Sequence, residues 1–233
     1  MLEGNLGLMI LRWLHFLFGI TWIGLLYYFN FVQGPLFAET DANTKSAATQ
    51  KLVPRALWWF RWGAMGTFVV GLLILLNNWA VTGSGFVPSS YGASILTGGV
   101  LGTLMFLNVW LVIWPKQKIV IASAVATAGG GQADPRAGAA GRRGFLASRT
   151  NTLFSIPMLF FMGAARHYPH FDQPSTGALA AWIILGGGVI AAIEFNALTA
   201  TQGSTTKPIE TVSGVIHAGI ILTVVLFLIL RLL

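Results

Sequence analysis

The stretch GLMILRWLHFLFGITWIGLLYYFNFVQ, residues 7–33, decides the fold of this protein. It is an apolar segment long enough to cross a bilayer with some tilt. Two ionisable side chains, Arg12 and His15, interrupt it. Because such groups are costly in hydrocarbon, we expect each to face the protein interior or a water-filled cavity, and to have a partner there.

One helical stripe of this segment carries four notable residues, at i, i+3, i+7 and i+10: Arg12, His15, Gly19 and Trp22. The stripe combines a cation, an imidazole, a position without a side chain and a large aromatic ring. It predicts the inward face of the first span. As a hypothesis, the same stripe forms one wall of a cofactor site.

The composition indicates the class of protein. The chain is 55% hydrophobic and 9% charged, with a mean hydropathy of +0.72, whereas soluble domains carry about 25% charged residues. We therefore predict an all-α polytopic integral membrane helix bundle in a lipid bilayer. The chain has no cysteine, which excludes disulfides, thiolate metal sites and a CxxCH haem attachment within it. The net charge of +7 does not indicate nucleic-acid binding, because most basic residues lie between the apolar segments.

Hydropathy divides the single transmembrane domain, residues 1–233, into six predicted spans: 7–33, 57–80, 92–114, 145–165, 175–198 and 208–232. We expect Gly34-Pro35 to break the first span and Pro115 to close the third. Pro157 is expected to kink the fourth span and to free a backbone carbonyl. Residues 34–56 are predicted to be an amphipathic cytoplasmic or interfacial segment, and residues 116–146 a basic, Gly-rich cytoplasmic loop.

The basic residues predict the orientation of the chain. Loops one, three and five carry ten Lys and Arg residues, whereas the opposite side carries only Arg166 and Arg231. Cytoplasmic loops are the ones enriched in Lys and Arg. Both termini are therefore expected outside, which is the periplasm in a Gram-negative host.

A second imidazole, His217, lies in the sixth predicted span near two glycines. Imidazoles from two different helices, near small residues and aromatic rings, are how a membrane bundle holds haem b. His15 and His217 are therefore candidate ligands of a haem iron. Gly19 and Trp22 would lie beside the macrocycle, and Arg12 would pair with a propionate. The alternative is that each imidazole makes one hydrogen bond to a neighbouring helix and binds no cofactor.

Two other polar residues of the spans have simpler predicted roles. Glu194 is expected to pair with Lys207 or Arg149, with a proton relay as the less favoured alternative. Asn108 is expected to form a hydrogen bond between helices. A transport path through Glu194 and Arg12 is a less favoured alternative, because the chain shows no internal repeat.

Three stretches carry a resemblance to a known family: RWLHFLFGITWIG at residues 12–24, FLNVWLVIWPKQK at 106–118 and ASRTNTLFSIPMLFFMGAARHYP at 147–169. They resemble the membrane domain of the bacterial membrane-bound urate oxidase, or urate hydroxylase, N-terminal family. His15 matches the first-helix His of that family. Its fourth-helix motif falls on Arg149, Asn151, Pro157 and His167, and Thr150 stands where longer members carry a His.

The resemblance implies a function in the bacterial inner membrane. Members carry a c-type cytochrome domain after the last membrane helix, whereas this chain ends at Leu233 without a CxxCH motif. It implies a urate oxidase-like redox protein that binds haem b and passes electrons to a separate periplasmic cytochrome c or a larger membrane complex. The alternative, from a different class, is a cofactor-free accessory subunit packed onto a larger respiratory or photosynthetic complex.

Overall fold

The computed structural model describes residues 6–168 and 176–232, and this part of the chain is helical with no strand. The predicted all-α fold is therefore confirmed. The helices are α1 (Leu6–Glu39), α2 (Ala42–Lys51), α3 (Val53–Thr82), α4 (Ser90–Ala128), α5 (Ala137–His167), α6 (Thr176–Thr199), α7 (Lys207–Glu210) and α8 (Val212–Leu232).

Five helices in the described part of the chain are long and apolar enough to cross a membrane: α1, α3, α4, α6 and α8. They correspond to five of the six predicted spans. Large apolar side chains lie on their outer faces, including Phe16, Leu111 and Ile184, which are about 70% exposed. Such a surface suits a bilayer and supports the prediction of a membrane protein.

The remaining predicted span, 145–165, lies in α5, which differs from the other five because basic and polar residues interrupt its apolar sequence. Fifteen of its 31 residues are buried. It packs against α1, α4, α6, α7 and α8. Helix α5 is therefore the central helix, since it contacts more of the other helices than any of them does.

Helices α1 and α3 form a tight pair next to the central helix. Gly63 of α3 lies so close to α1 that an added Cβ would be 3.1 Å from the backbone nitrogen of Trp22. Small residues of this kind let two membrane helices approach backbone to backbone. The pair therefore fixes the position of the first span.

Two prolines that were expected to end spans lie inside continuous helices. Helix α1 passes through Gly34-Pro35, because the π-helical turn Tyr28–Gln33 comes directly before it and the amide of Gly34 donates to the carbonyl of Phe29, five residues back. Helix α4 has the same arrangement, with the π-helical turn Asn108–Ile113 before Pro115. A wider turn tolerates a proline that lacks an amide proton and would clash with the carbonyl four residues earlier. The predicted break at Gly34-Pro35 was therefore wrong.

The two segments predicted between spans are also largely helical. Within residues 34–56, α2 begins after Asp41, whose carboxylate accepts hydrogen bonds from the amides of Asn43 and Thr44 at 2.9 and 3.0 Å. Within residues 116–146, only residues 129–136 separate α4 from α5. Helix α4 continues well beyond Pro115, because the apolar and Ala-rich sequence after it favours helix.

The central helix continues through Pro157, which leaves the carbonyl of Leu153 without its usual helical donor. Gly219 of α8 lies against this carbonyl. A Cβ added at Gly219 would be 3.0 Å from the Leu153 oxygen and 2.5 Å from Cδ1 of Ile156. The freed carbonyl therefore faces protein, as the sequence predicted, and the packing there requires glycine.

We expect Gly219→Val to lower the melting temperature of the detergent-solubilised protein by about 3–10 °C. Overpacking costs about 1–3 kcal/mol, and each kcal/mol shifts a protein of this size by about 2–4 °C. Gly163→Val is the matched control, because a Cβ at Gly163 meets nothing within 4 Å. Equal melting temperatures for the two variants would contradict this account of the packing.

An ion pair connects the start of the central helix to α7. Arg142 donates through Nη2 to Oε1 of Glu210 at 2.5 Å, and through Nε to the carbonyl of Thr201 at 2.7 Å. Thr206 also donates to Glu210, at 2.8 Å. The hydrogen bond from Arg142, followed by that from Thr206, holds the pKa of Glu210 below its usual value of 4.5.

This lowered pKa predicts a pH-dependent contribution to stability. A carboxylate whose folded pKa is depressed stabilises the fold above its unfolded pKa, and the contribution is lost as the pH falls through the folded value. The wild-type protein should therefore melt at a higher temperature than Glu210→Gln at pH 7, and the difference should shrink below pH 4.5. Melting curves of both proteins across this range test it; a constant difference would contradict the assignment.

Candidate functional site

The middle of the central helix carries a run of buried polar residues. Arg149, Asn151, Thr152 and Ser155 are each at most 4% exposed. Buried polar groups are costly unless they are hydrogen-bonded, and more so in a membrane. Their partners therefore define the interior of the bundle.

On one side, this run joins α4 and α6 to the central helix. Asn151 donates to the carbonyl of Met105 at 2.9 Å, and Asn108 donates to Oδ1 of Asn151 at 3.0 Å. Asn108 also donates to Oε2 of Glu194 on α6, at 3.1 Å. The predicted role of Asn108 between helices is confirmed. Glu194 forms no ion pair with the described residues, so its predicted pairing with Lys207 or Arg149 was wrong.

On the other side, the run joins α1 to the central helix. Asn30 donates to Oγ of Ser148 and to the carbonyl of Leu26, each at 2.8 Å. The hydroxyl of Tyr27 lies 2.9 Å from that of Ser155. Asn30 lies in the π-helical turn of α1, and Asn108 begins that of α4. The two π-helical turns thus each bring a buried amide to the central helix.

A cavity of about 160 Å³ adjoins these residues, between the end of α1, the start of α3, the middle of α4 and the first half of the central helix. Aromatic rings and amide side chains dominate its wall. The lining residues are Phe29, Asn30, Gln33, Gly34, Val53, Leu57, Phe60, Ile113, Gln117, Gly144, Phe145, Ser148 and Arg149.

Arg149 is the only charged residue in the described lining of this cavity. It is 4% exposed, and its Nε and Nη1 atoms have no hydrogen-bond partner among the described residues. Its guanidinium carbon lies 5.2 Å from the ring centroid of Phe145. A cation–π contact compensates only part of the cost of burying a charge. The cavity is therefore electropositive and favours an anion.

The four residues of the predicted stripe on α1 do not share one environment. His15 is half-buried; its Nδ1 donates to the carbonyl of Thr67 at 3.0 Å, and its ring packs on Gly71 of α3. Gly19 also faces Thr67, and Trp22 is 2% exposed. These three face the protein interior. Arg12 is exposed, so the structure does not place it with the others.

His217 lies on a different part of the bundle. It is exposed on α8, and its Nδ1 donates to the carbonyl of Ser213 on the same helix at 2.7 Å. Helix α8 packs against the central helix, α6 and α7, whereas the ring of His15 contacts α3. The structure therefore does not bring the two imidazoles together.

The described contacts of the two rings give no support to a haem held between His15 and His217. Axial ligation needs two rings that face each other across the macrocycle. A Cβ added at Gly71 would be 2.8 Å from Cε1 of His15, so that ring already rests on α3. Haem binding by the protein stays a prediction without a ligand pair in the described residues.

Reasoning from composition and spacing missed the importance of Arg149 and Asn30. Arg149 was counted among the basic residues of the third loop, and Asn30 had no assigned role. The signal for Arg149 was the run RTNT, residues 149–152, inside an apolar segment, together with its place in the resembled motif. No comparable signal marks Asn30, because its burial depends on the π-helical turn.

Comparison with known proteins gives one match. The profile of the family described as "Urate oxidase N-terminal" matches residues 77–227. No curated protein and no solved structure matches the chain. The matched range includes two of the resembling stretches, 106–118 and 147–169, and the whole of the central helix. Because the match covers well over half of the 233 residues, the chain belongs to the urate oxidase N-terminal family.

Proposed function

We propose that the protein is an integral membrane oxidoreductase that oxidises urate, or a closely related purine, and passes the electrons to a separate cytochrome c. The family supplies the substrate class. Hydroxylation of urate takes an oxygen atom from water and releases two electrons and two protons. Each haem iron of the acceptor takes one electron.

The observation that carries this proposal is the buried polar run of the central helix, within the region that matches the family. Polar and ionisable groups inside a membrane bundle are costly, and they mark substrate or proton paths more often than simple packing. Here they join α1, α4 and α6 to the central helix, and a cavity adjoins them. An interior built in this way suits the binding and conversion of a small polar molecule.

The same observation weighs against the accessory-subunit alternative. A subunit that only docks onto a larger complex uses its outer faces, and it gains nothing from costly polar groups and an unpaired guanidinium inside the bundle. Native mass spectrometry of gently solubilised protein distinguishes the two: a stable membrane partner and no redox activity would favour the accessory role.

The proposed function requires one orientation of the helices in the membrane. Helix α5 crosses the bacterial inner membrane together with the five apolar helices, and both termini lie outside. The bias of Lys and Arg supports this orientation. The ends of α1 and α4 and the starts of α3 and α5 then lie toward the cytoplasm, so the cavity opens near that side.

We expect the purified protein in nanodiscs to reduce added cytochrome c when urate is supplied, with two cytochromes reduced per urate consumed. The α-band absorbance of reduced cytochrome measures the electrons, and loss of the urate absorbance measures the substrate. A parallel assay with ferricyanide separates failure of the acceptor from failure of oxidation. A folded protein that consumes no urate with either acceptor would contradict the proposal.

Asn151→Ala is expected to lower the rate of urate oxidation by about 10-fold or more, because it removes the amide that positions the central helix against α4. Asn196→Ala is the matched control. Its amide donates only to the carbonyl of Thr205 at 3.2 Å, in the connection that follows α6. Equal loss in both variants would show that the buried network is not specific to function.

A pyridine haemochrome spectrum of the same preparation tests the separate prediction of haem b.

A further inference from the structure

We propose that the cavity beside Arg149 is the binding site for a planar heterocyclic anion that carries ring N–H groups. The inference deepens the proposed function and rests on it for the name of the substrate, urate. The binding site itself follows from the cavity, from two groups of unpaired buried atoms and from the rings around them.

The charge of the cavity comes from one side chain. Arg149 is more than nine-tenths buried, and two of its nitrogen atoms have no hydrogen-bond partner in the described structure. None of the described residues that line the cavity is acidic. The carboxylate of Glu194 accepts from Asn108, and that of Glu210 accepts from Arg142. Because a buried guanidinium is costly without compensation, the compensating negative charge must come from a ligand.

A second buried polar group belongs to the same lining. The side-chain oxygen of Gln33 is buried and also lacks a hydrogen-bond partner. An oxygen can only accept, so a matching ligand must donate a hydrogen bond as well as carry negative charge. Sulfate and simple carboxylates supply acceptors only, and hydrogen phosphate has a P–OH donor but is tetrahedral rather than flat. A heterocyclic anion with ring N–H groups supplies both.

The size and shape of the cavity limit the ligand that it can hold. The cavity measures about 160 Å³, close to the roughly 150 Å³ at which an apolar protein cavity admits benzene. It therefore suits one small ring system rather than a nucleotide. Phe29 and Phe145 line it, and Phe29 meets Phe60 edge to face at 5.5 Å. Aromatic walls favour a flat ligand, and the unpaired nitrogen atoms of Arg149 favour an anionic acceptor.

Binding is measured by isothermal titration on the full chain in nanodiscs, without an electron acceptor, so that no turnover is needed. Three probes are compared: urate, which is an anion with ring N–H groups; benzoate, a flat anion without them; and inorganic phosphate. We expect urate to bind the wild-type protein at least 10-fold more tightly than either of the others. Phosphate binding as tightly as urate would instead indicate a site for lipid headgroups or free phosphate, and would overturn the assigned ligand class.

Arg149→Gln should weaken urate binding at least 10-fold, because charge-assisted hydrogen bonds are lost. The same variant should melt no lower than the wild-type protein without ligand, because it removes an uncompensated buried charge. If the arginine were purely structural, the variant would melt at a lower temperature than the wild-type protein. Arg61→Gln is the matched control: Arg61 lies outside the cavity, with its guanidinium 3.9 Å from the ring centroid of Trp114, and urate binding should be unchanged.

Gln33→Leu tests the donor requirement. It should reduce the preference for urate over benzoate to about threefold or less, while Arg149 still holds both anions. Unchanged binding of urate by Arg149→Gln, or no binding by the folded wild-type protein, would overturn the site. If urate binds tightly but neither cytochrome c nor ferricyanide is reduced, the binding site stands and the proposed oxidation is overturned. If Arg149→Gln oxidises urate with an unchanged KM, the proposed oxidation stands and the binding site is overturned.

Discussion

The structure depends on the need to satisfy polar groups buried in an apolar bundle. The central helix carries Arg149, Asn151, Thr152 and Ser155 where a membrane-spanning helix usually carries leucine or valine. An apolar interior offers little hydration, so each of these groups needs a partner on another helix, in its own backbone or in a bound ligand. The positions of α1, α4 and α6 around the central helix follow from this requirement. Apolar contacts fill the remaining space, but they do not select one arrangement of similar apolar helices over another.

Two π-helical turns supply contacts of this kind with the central helix. An α-helix places a residue every 100°, and an insertion of one residue rotates the following side chains to a new face. The turns Tyr28–Gln33 and Asn108–Ile113 do this in α1 and α4, and each lies directly before a proline. The proline and the turn suit each other, because the wider turn relieves the clash of the ring with the carbonyl behind it. One local irregularity therefore allows each helix to continue and also brings a buried asparagine to the central helix.

The fold class followed from the sequence, because apolar length and charge depletion are local properties. Five spans were predicted in nearly the correct places for the same reason. The cavity did not follow from the sequence. His15 and His217 attracted attention as rare imidazoles in apolar segments, but one packs on Gly71 and the other is exposed. Helical spacing at 3.6 residues per turn cannot anticipate a π-helical turn, and it cannot show which helices become neighbours. Asn30 and the lining of the cavity depend on both.

The arginines of the central helix show what distinguishes the cavity from the rest of the bundle. Arg142 pairs with Glu210, and Arg143 donates to the carbonyls of Ala197 and Ala200 at the end of α6 at 2.6 and 3.0 Å. Both stabilise the fold through satisfied hydrogen bonds at the edge of the bundle. Arg149, one to two turns further along, is more deeply buried and has less compensation. A protein that needed a cation there only for stability would gain more from an apolar side chain of similar size. Binding of an anion would compensate the free-energy cost of burying this guanidinium. The stability that the free protein gives up would then contribute to its affinity for the ligand.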